Sequence, residues 1–383
     1  MQDNVTREDL DTLITYLSGD DPRLTHGPKV AEFERAWADW VGTKEAVMVN
    51  SGSSANDLTL LAIREMYGPG EVILSPLGWV SDVAATLHAG LTPVFVDIDP
   101  ITLGPATDQV LEQLSPSTRA ALIVHILGLN ALSDSLIEGC DSSGVPIIED
   151  VCESHGATFN GRRCGSVGFA SNFSFYFAHH LTTIEGGAVC TNDEEFADVV
   201  RMLRSHGLVR ESRDTKKRKH FESTYTDLNS DFIFAHAAHN NRPTELNGVL
   251  GLSQLPRLDT NVEIRRRNFA RFMSSIDGEK YRNEFDVESS SNYAFIVVLQ
   301  NADFSLRDRV EEVLLREGIE FRRGLSGGGN QLRQPYLAEH VKSLHLADFP
   351  NVEHVHHFGW YIGNHPGITN DDVDRLSEIL NAI

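Results

Sequence analysis

Positive charge is scarce in this chain. Its 383 residues carry 33 Lys and Arg against 55 Asp and Glu, a formal net charge of -22. Such a balance repels polyanions and argues against nucleic acid or an anionic membrane as partner; it reads as the solvated acidic face of a soluble protein. Only four cysteines occur, Cys140, Cys152, Cys164 and Cys190. None stands in the paired spacing of a zinc or iron–sulfur site, so free thiols and no metal are expected. Nothing approaches the run of roughly 20 apolar residues that a membrane span requires. The first residues, Met1 to Asp9, show no apolar signal region, which predicts a cytoplasmic protein. No GxGxxG follows an early strand, so the phosphate loop of a nicotinamide dehydrogenase is missing. Internal repeats and low-complexity tracts are absent as well.

What remains is an ordinary globular composition, 41% hydrophobic and 23% charged, in a chain long enough for two cores. Between about residues 45 and 195, short apolar runs alternate with amphipathic ones, the pattern of βα units feeding a mostly parallel sheet. The expected strands are Ala46–Val49, Glu71–Leu74, Pro93–Val96, Ala121–Val124, Pro146–Glu149, Asn172–Phe175 and Gly187–Cys190. From about Pro256 the pattern changes to a charged helix (Val262–Ile276), a strand (Ala294–Val298) and two more helices (Leu306–Glu317 and Asp371–Leu380). The predicted division is a large α/β domain with an N-terminal arm over 1–255 and a smaller α+β domain over 256–383. The basic run from Lys216 to His220 and the stretch Gly324–Gly329 are expected as flexible surface loops.

In such sheets ligands gather at the carboxyl ends of the strands, so those ends carry the candidates. Asn50-Ser51-Gly52-Ser53-Ser54-Ala55-Asn56 follows a strand and opens a helix. Small residues and helix-terminal N–H groups suit a phosphate there, although a plain N-cap explains any one serine. Glu149-Asp150-Val151-Cys152-Glu153-Ser154 closes a strongly apolar strand, where a desolvated carboxylate is costly without a cation beside it. A satisfied core carboxylate is the structural alternative. Trp79 offers a flat face after another strand, or core packing. Ser174-Phe175-Tyr176 leads to His179-His180 and then Glu185-Gly186-Gly187; imidazole can move protons near neutral pH.

Together these segments resemble the DegT/DnrJ/EryC1/StrS family of pyridoxal-phosphate-dependent sugar aminotransferases and dehydratases, over nearly the full length. Arg204-Ser205-His206-Gly207, Asn240-Asn241-Arg242-Pro243 and Gly363-Asn364-His365 add to the likeness. The resemblance implies the fold of the type I pyridoxal-phosphate enzymes: a mostly parallel central sheet with helices on both faces plus a smaller C-terminal domain. It also implies pyridoxal 5′-phosphate and pyridoxamine 5′-phosphate as cofactors. By position, Asp150 would pair with the ring nitrogen, Trp79 would lie on the ring and Glu153 near its hydroxyl. Ser53, Ser54 and Ser174 would hold the phosphate, with Asn240 from a second subunit of a homodimer that shares its active sites. His206, Arg210 and Arg322 would meet the substrate.

Within that family the anchoring lysine is here His179, which cannot form an imine with the cofactor. The resemblance then points to the branch that removes the C3 hydroxyl of a nucleotide-linked 4-keto-6-deoxyhexose, GDP-4-keto-6-deoxy-mannose first, with glutamate restoring the amine form of the cofactor. His179 would act as base and then acid, titrating near neutrality. An ordinary sugar aminotransferase needs a lysine that none of the seven lysines supplies in a matching context. A cofactor-binding homologue without activity is the other alternative, and the four cysteines do not reproduce the cluster of the iron–sulfur sugar dehydrases.

Overall fold

The computed structural model describes residues 4–340, 342 and 344–383. Among the described residues twelve strands are formed: β1 (Glu45–Val49), β2 (Glu71–Leu74), β3 (Thr92–Phe95), β4 (Thr118–Val124), β5 (Ile147–Asp150), β6 (Thr158–Phe159), β7 (Arg162–Arg163), β8 (Ala170–Ser174), β9 (Gly187–Thr191), β10 (Ala294–Val298), β11 (Phe321–Arg323) and β12 (Gly359–Gly363). Seven of them build one sheet in the order β1-β9-β8-β5-β4-β2-β3. The run β3-β2-β4-β5-β8 is parallel, and β9 joins both β8 and β1 antiparallel. This is the α/β fold expected. β10, β12 and β11 make a separate antiparallel sheet.

Every residue of β5, β8 and β9 is buried, because helices cover both faces of a parallel sheet and leave no solvated side. That is why these strands read as unbroken apolar runs. One side of the sheet packs on the helices Gly52–Tyr67 and Glu194–Arg204 through Leu58, Leu60, Ile63, Phe196, Val200 and Leu203. The other packs on Pro28–Val41 through Phe33 and Trp37, which meet Phe173 and Phe175 edge-on. Gly251 is required where Pro28–Val41 crosses the helix Glu245–Gln254: a Cβ there would lie 2.6 Å from the Phe33 ring.

Three expectations are corrected. The strand expected to begin at Pro146 runs Ile147–Asp150 and carries Asp150 as its last residue. The basic run lies on a helix, Thr215–Thr224, with no buried residue; the Asp214 side chain caps it by accepting from the N–H groups of Lys216 and Lys217. Capping, rather than burial, accounts for its order. The glycine-rich stretch is a pair of tight turns seated against the segment that follows β2. Gln331 N–H donates to the Pro76 carbonyl (2.9 Å), and a Cβ on Gly327 would strike the Gly78 carbonyl oxygen.

Alternation along β5 sends Glu149 and Asp150 to opposite faces, and their fates differ. Glu149 is fully buried and accepts from the N–H groups of Gly165 (2.7 Å), Val167 (3.0 Å) and Gly168 (2.6 Å) and from His125 Nε2 (3.1 Å). The Ala131 N–H points at His125 Nδ1 (3.1 Å), which leaves the proton of a neutral imidazole on Nε2, facing Glu149. Burial by itself would raise the Glu149 pKa; the bonds from His125 and the loop amides outweigh it and hold the carboxylate below its usual range. Cys164 brings a third ligand-type atom within 4.8 Å of these two. With Glu149 already bonded four times, the cluster is a structural lock on the 165–168 loop.

Glu149→Gln therefore lowers the unfolding free energy of the cofactor-free protein by about 2 kcal/mol or more, since bonds to a buried carboxylate are among the stronger ones. The advantage of Glu over Gln is present at neutral pH and is lost as pH falls through the depressed pKa. Chemical denaturation at several pH values checks both; equal stabilities at neutral pH would remove the lock.

Candidate active site

Where β4, β5 and β8 end, the structure opens a cavity of about 500 Å³. Each wall comes from a strand end and the loop that follows it, with β10, β11 and β12 closing the far side. Of the predicted residues, Ser53, Trp79, Asp150, Glu153, Ser174, His179 and Arg322 line it. Ser54, Asn240, His206 and Arg210 do not.

At one end, Ser51 caps the helix Gly52–Tyr67 by accepting from Ser54 N–H (3.0 Å). The first N–H groups of that helix have no intrahelical acceptor and face the cavity beside Ser53 and Ser174. Gly52 is the tight point: a Cβ there would lie 2.5 Å from Ser174 Cβ and 3.0 Å from Cys152 Sγ. The Ser54 hydroxyl is spent locally, on Asn50 Oδ1 (2.6 Å) and Ser51 Oγ (3.0 Å).

In the middle stands Asp150, 4% exposed. Its Oδ1 accepts from Cys152 N–H (2.9 Å) and its Oδ2 from Asn56 Nδ2 (2.8 Å). No lysine or arginine pairs with it among the described residues. Trp79 leaves 55% of its surface uncovered at the cavity wall rather than packing in a core. The Cys152 thiol is no nucleophile, because burial first and Asp150 second push its pKa well above the ordinary value.

His179 sits on the loop joining β8 to β9, which is pinned at several points. Phe175 N–H donates to the Gly186 carbonyl (2.8 Å), Thr183 N–H to the Phe175 carbonyl (2.9 Å), and Gln254 exchanges two bonds with the Thr182 backbone (3.1 and 2.7 Å). The Asn4 side chain donates to the His179 carbonyl, tying the N-terminal arm to the same loop. The imidazole is 8% exposed, its Nδ1 has no partner among the described residues, and Tyr293 lies 5.4 Å away ring to ring. Burial lowers its pKa to about 4, against a smaller upward pull from Asp150. The expectation of titration near neutrality is thus corrected: His179 is a neutral imidazole at physiological pH. His180 points elsewhere, with Nε2 against the Ser291 carbonyl (3.0 Å).

Glu153 occupies the opposite end. Its Oε2 accepts from Leu127 N–H (3.1 Å) and its Oε1 from Ser326 Oγ (3.0 Å). Burial raises its pKa to about 7, and the two bonds lower it only in part. Tyr293 and Tyr361 complete this end, both held as neutral phenols by burial, Tyr361 at about 12. Asp82, Tyr293, Ser326 and Tyr361 were not singled out from sequence. The one available signal was Asp82, three residues after Trp79 in the same strand-end segment.

The other predicted residues lie outside the cavity of this chain. Asn240 is exposed and accepts from Arg242 N–H (3.2 Å), and its segment bridges antiparallel to Ser205. His206 and Arg210 are exposed on the following loop, where Arg210 donates to the Asp231 carbonyl (3.1 Å) and lies over Phe232. Arg322 reaches the cavity mouth but is paired with Glu320 (2.7 Å).

A phosphorylated pyridine fits this donor set. Unspent helix N–H groups and serines lie at one end, an uncompensated buried carboxylate in the middle and an exposed indole beside it. A family model matches residues 5–381, that of the DegT/DnrJ/EryC1/StrS aminotransferase family. The chain belongs to that family. Among its relatives, GDP-4-keto-6-deoxy-D-mannose 3-dehydratase of Yersinia pseudotuberculosis is 30% identical over 369 residues, 94% of this chain and 93% of that protein. GDP-perosamine synthase of Caulobacter vibrioides is 29% identical, covering 93% of this chain and 90% of its own. A solved GDP-4-keto-6-deoxymannose-3-dehydratase with a trapped PLP-glutamate geminal diamine superposes with a TM-score of 0.85 at 28% identity, over 99% of this chain and 98% of that one.

The buried Glu153 carries a stability signature. Its folded pKa of about 7 lies above the ordinary 4.5, so ionisation is penalised in the folded state. Relative to Glu153→Gln, the cofactor-free wild type loses stability as pH rises from 4.5 through 7, by up to about 3 kcal/mol, and levels off above. Denaturation midpoints of the two proteins across that window test it, a constant difference being the contrary result.

Proposed function

We propose that this protein is a pyridoxamine-phosphate-dependent nucleotide-sugar 3-dehydratase that removes the C3 hydroxyl of a nucleotide-linked 4-keto-6-deoxyhexose. One observation carries the reading: the residues lining the cavity include His179 and no lysine. Similarity to the Yersinia enzyme favours GDP-4-keto-6-deoxy-mannose as substrate. The trapped PLP-glutamate species in the solved dehydratase favours glutamate as the amino donor.

When bound, the cofactor supplies an electron sink next to the sugar carbonyl. In this proposal Asp150 would hold the ring nitrogen in its protonated form, Trp79 would cover one face of the ring, Ser53, Ser174 and the helix N–H groups would hold the phosphate, and Glu153 would lie near the ring hydroxyl. His179, neutral at physiological pH, would serve as the base and hand the proton it accepts to the departing C3 hydroxyl. Acid–base transfer of this kind contributes roughly 10²–10⁴ in rate. Arg322 meets the nucleotide sugar at the mouth. The exposure of Asn240, His206 and Arg210 supports a homodimer in which a second copy brings Asn240 to the phosphate and the other two to the substrate. Among the described residues no helix is long and apolar enough to cross a membrane, and we assign the reaction to the cytoplasm. We also divide the chain into a cofactor-binding domain, 1–255, and a small domain, 256–383, since β10, β11 and β12 pair only with one another.

The test is turnover of GDP-, CDP-, dTDP- and UDP-linked 4-keto-6-deoxyhexoses with glutamate. A 4-keto-3-deoxy sugar, ammonia and 2-oxoglutarate are expected. A 4-amino sugar without ammonia would establish the aminotransferase reading that similarity to GDP-perosamine synthase favours. Bound cofactor with no turnover would leave a binding protein. His179→Asn should keep cofactor affinity and lose about 100-fold or more in deoxygenation. Borohydride treatment of the pyridoxal form should leave the protein mass unchanged in the wild type and raise it by one reduced cofactor in His179→Lys.

A further inference from the structure

Behind Asp150 lies a second buried carboxyl that the scheme above does not use. Asp82 is 2% exposed, in the first turn of the helix Val80–His88 that follows Trp79. One amide holds both acids: Asn56 Nδ2 is 2.8 Å from Asp82 Oδ1 and 2.8 Å from Asp150 Oδ2. The two carboxyls thus share one donor, and Asp82 Oδ2 has no hydrogen-bond partner among the described residues. The titratable groups around Asp82 are Asp150, Glu153 and Cys152 from the segment closing β5, and Tyr336 from the turn below. None is a cation.

Two carboxylates side by side, both out of water and without a counter-ion, cannot both stay ionised. The helix start favours an anion at Asp82 by only about 0.3–1 kcal/mol, far less than the cost of burying an unpaired charge. Burial first, then Asp150, accordingly drives the Asp82 pKa well up. We propose that Asp82 is a positioning residue, held as a neutral carboxylic acid that donates to Asp150, so that the pair presents a single negative charge to the cofactor's ring nitrogen. One anion then meets one pyridinium, and the buried set closes electrically neutral. This rests on the cofactor reading and not on the choice between dehydratase and aminotransferase.

The measurements use the pyridoxamine-phosphate-loaded protein. Infrared spectra of wild type and Asp82→Asn are subtracted at about pH 8, where the contribution of Glu153 is common to both. The expected difference is a protonated-carboxyl C=O band in the wild type that is missing from the variant and shifts in D₂O. Asp82→Asn keeps a donor toward Asp150, so its dissociation constant for pyridoxamine phosphate should stay within about threefold of wild type. Asp82→Val, of similar size and without the donor, should weaken binding about tenfold or more, as expected for loss of a bond to a charged group. Circular dichroism verifies that both variants fold. Absence of the band together with a tenfold loss in Asp82→Asn would show an ionised second carboxylate and overturn the proposal. Wild-type affinity in Asp82→Val would overturn it also. If wild type itself failed to bind pyridoxamine phosphate, the cofactor reading would fall rather than this one.

Discussion

A carboxylate at the end of a buried strand, with no cation of the protein's own beside it, is the constraint around which the rest is arranged. Asp150 is nearly out of water and is met only by an amide and a backbone N–H. In a low-dielectric interior such a group is costly until a positive partner arrives. A protonated ring nitrogen suits that place, and the surrounding features are of a kind with it: the serine-lined helix start for a phosphate and the uncovered indole for a ring.

The neighbouring positions of β5 show how one strand performs two tasks. Glu149, on one face, is bonded four times and locks a loop; Asp150, on the other, is left under-compensated toward the cavity. Adjacent acids in a strand cannot share a role, because the pleat sends them apart. The same economy governs the histidines. His125 is consumed by Glu149 and Ala131, and His180 turns its Nε2 away to the Ser291 carbonyl, while His179 lines the cavity with an Nδ1 that has no partner among the described residues. Burial keeps that imidazole neutral at physiological pH.

Much of this was legible along the chain. Short apolar runs alternating with amphipathic ones located the seven strands of the main sheet to within three residues at either end, and β10 with its own bounds. The segments around Ser53, Asp150, Ser174 and His179 stand at strand ends, and strand ends converge in a parallel sheet. The basic helix and the seated glycine turns were read as loops, because capping by Asp214 and contact with the Gly78 carbonyl are not compositional signals. Tyr293, Ser326 and Tyr361 come from the second sheet and its connecting turns, far from the motifs in sequence.

By itself, the order of amino acids determined the sheet, the strand ends that bear the site, and an imidazole in place of any amine at position 179, since each depends on local pattern or residue chemistry. Only the tertiary structure decided which acids are free, which are paired and at what pH each gives up its proton. Those properties arise from burial and from neighbours far away along the chain: Asn56 joining Asp82 to Asp150, and Ser326 closing on Glu153 across 173 residues.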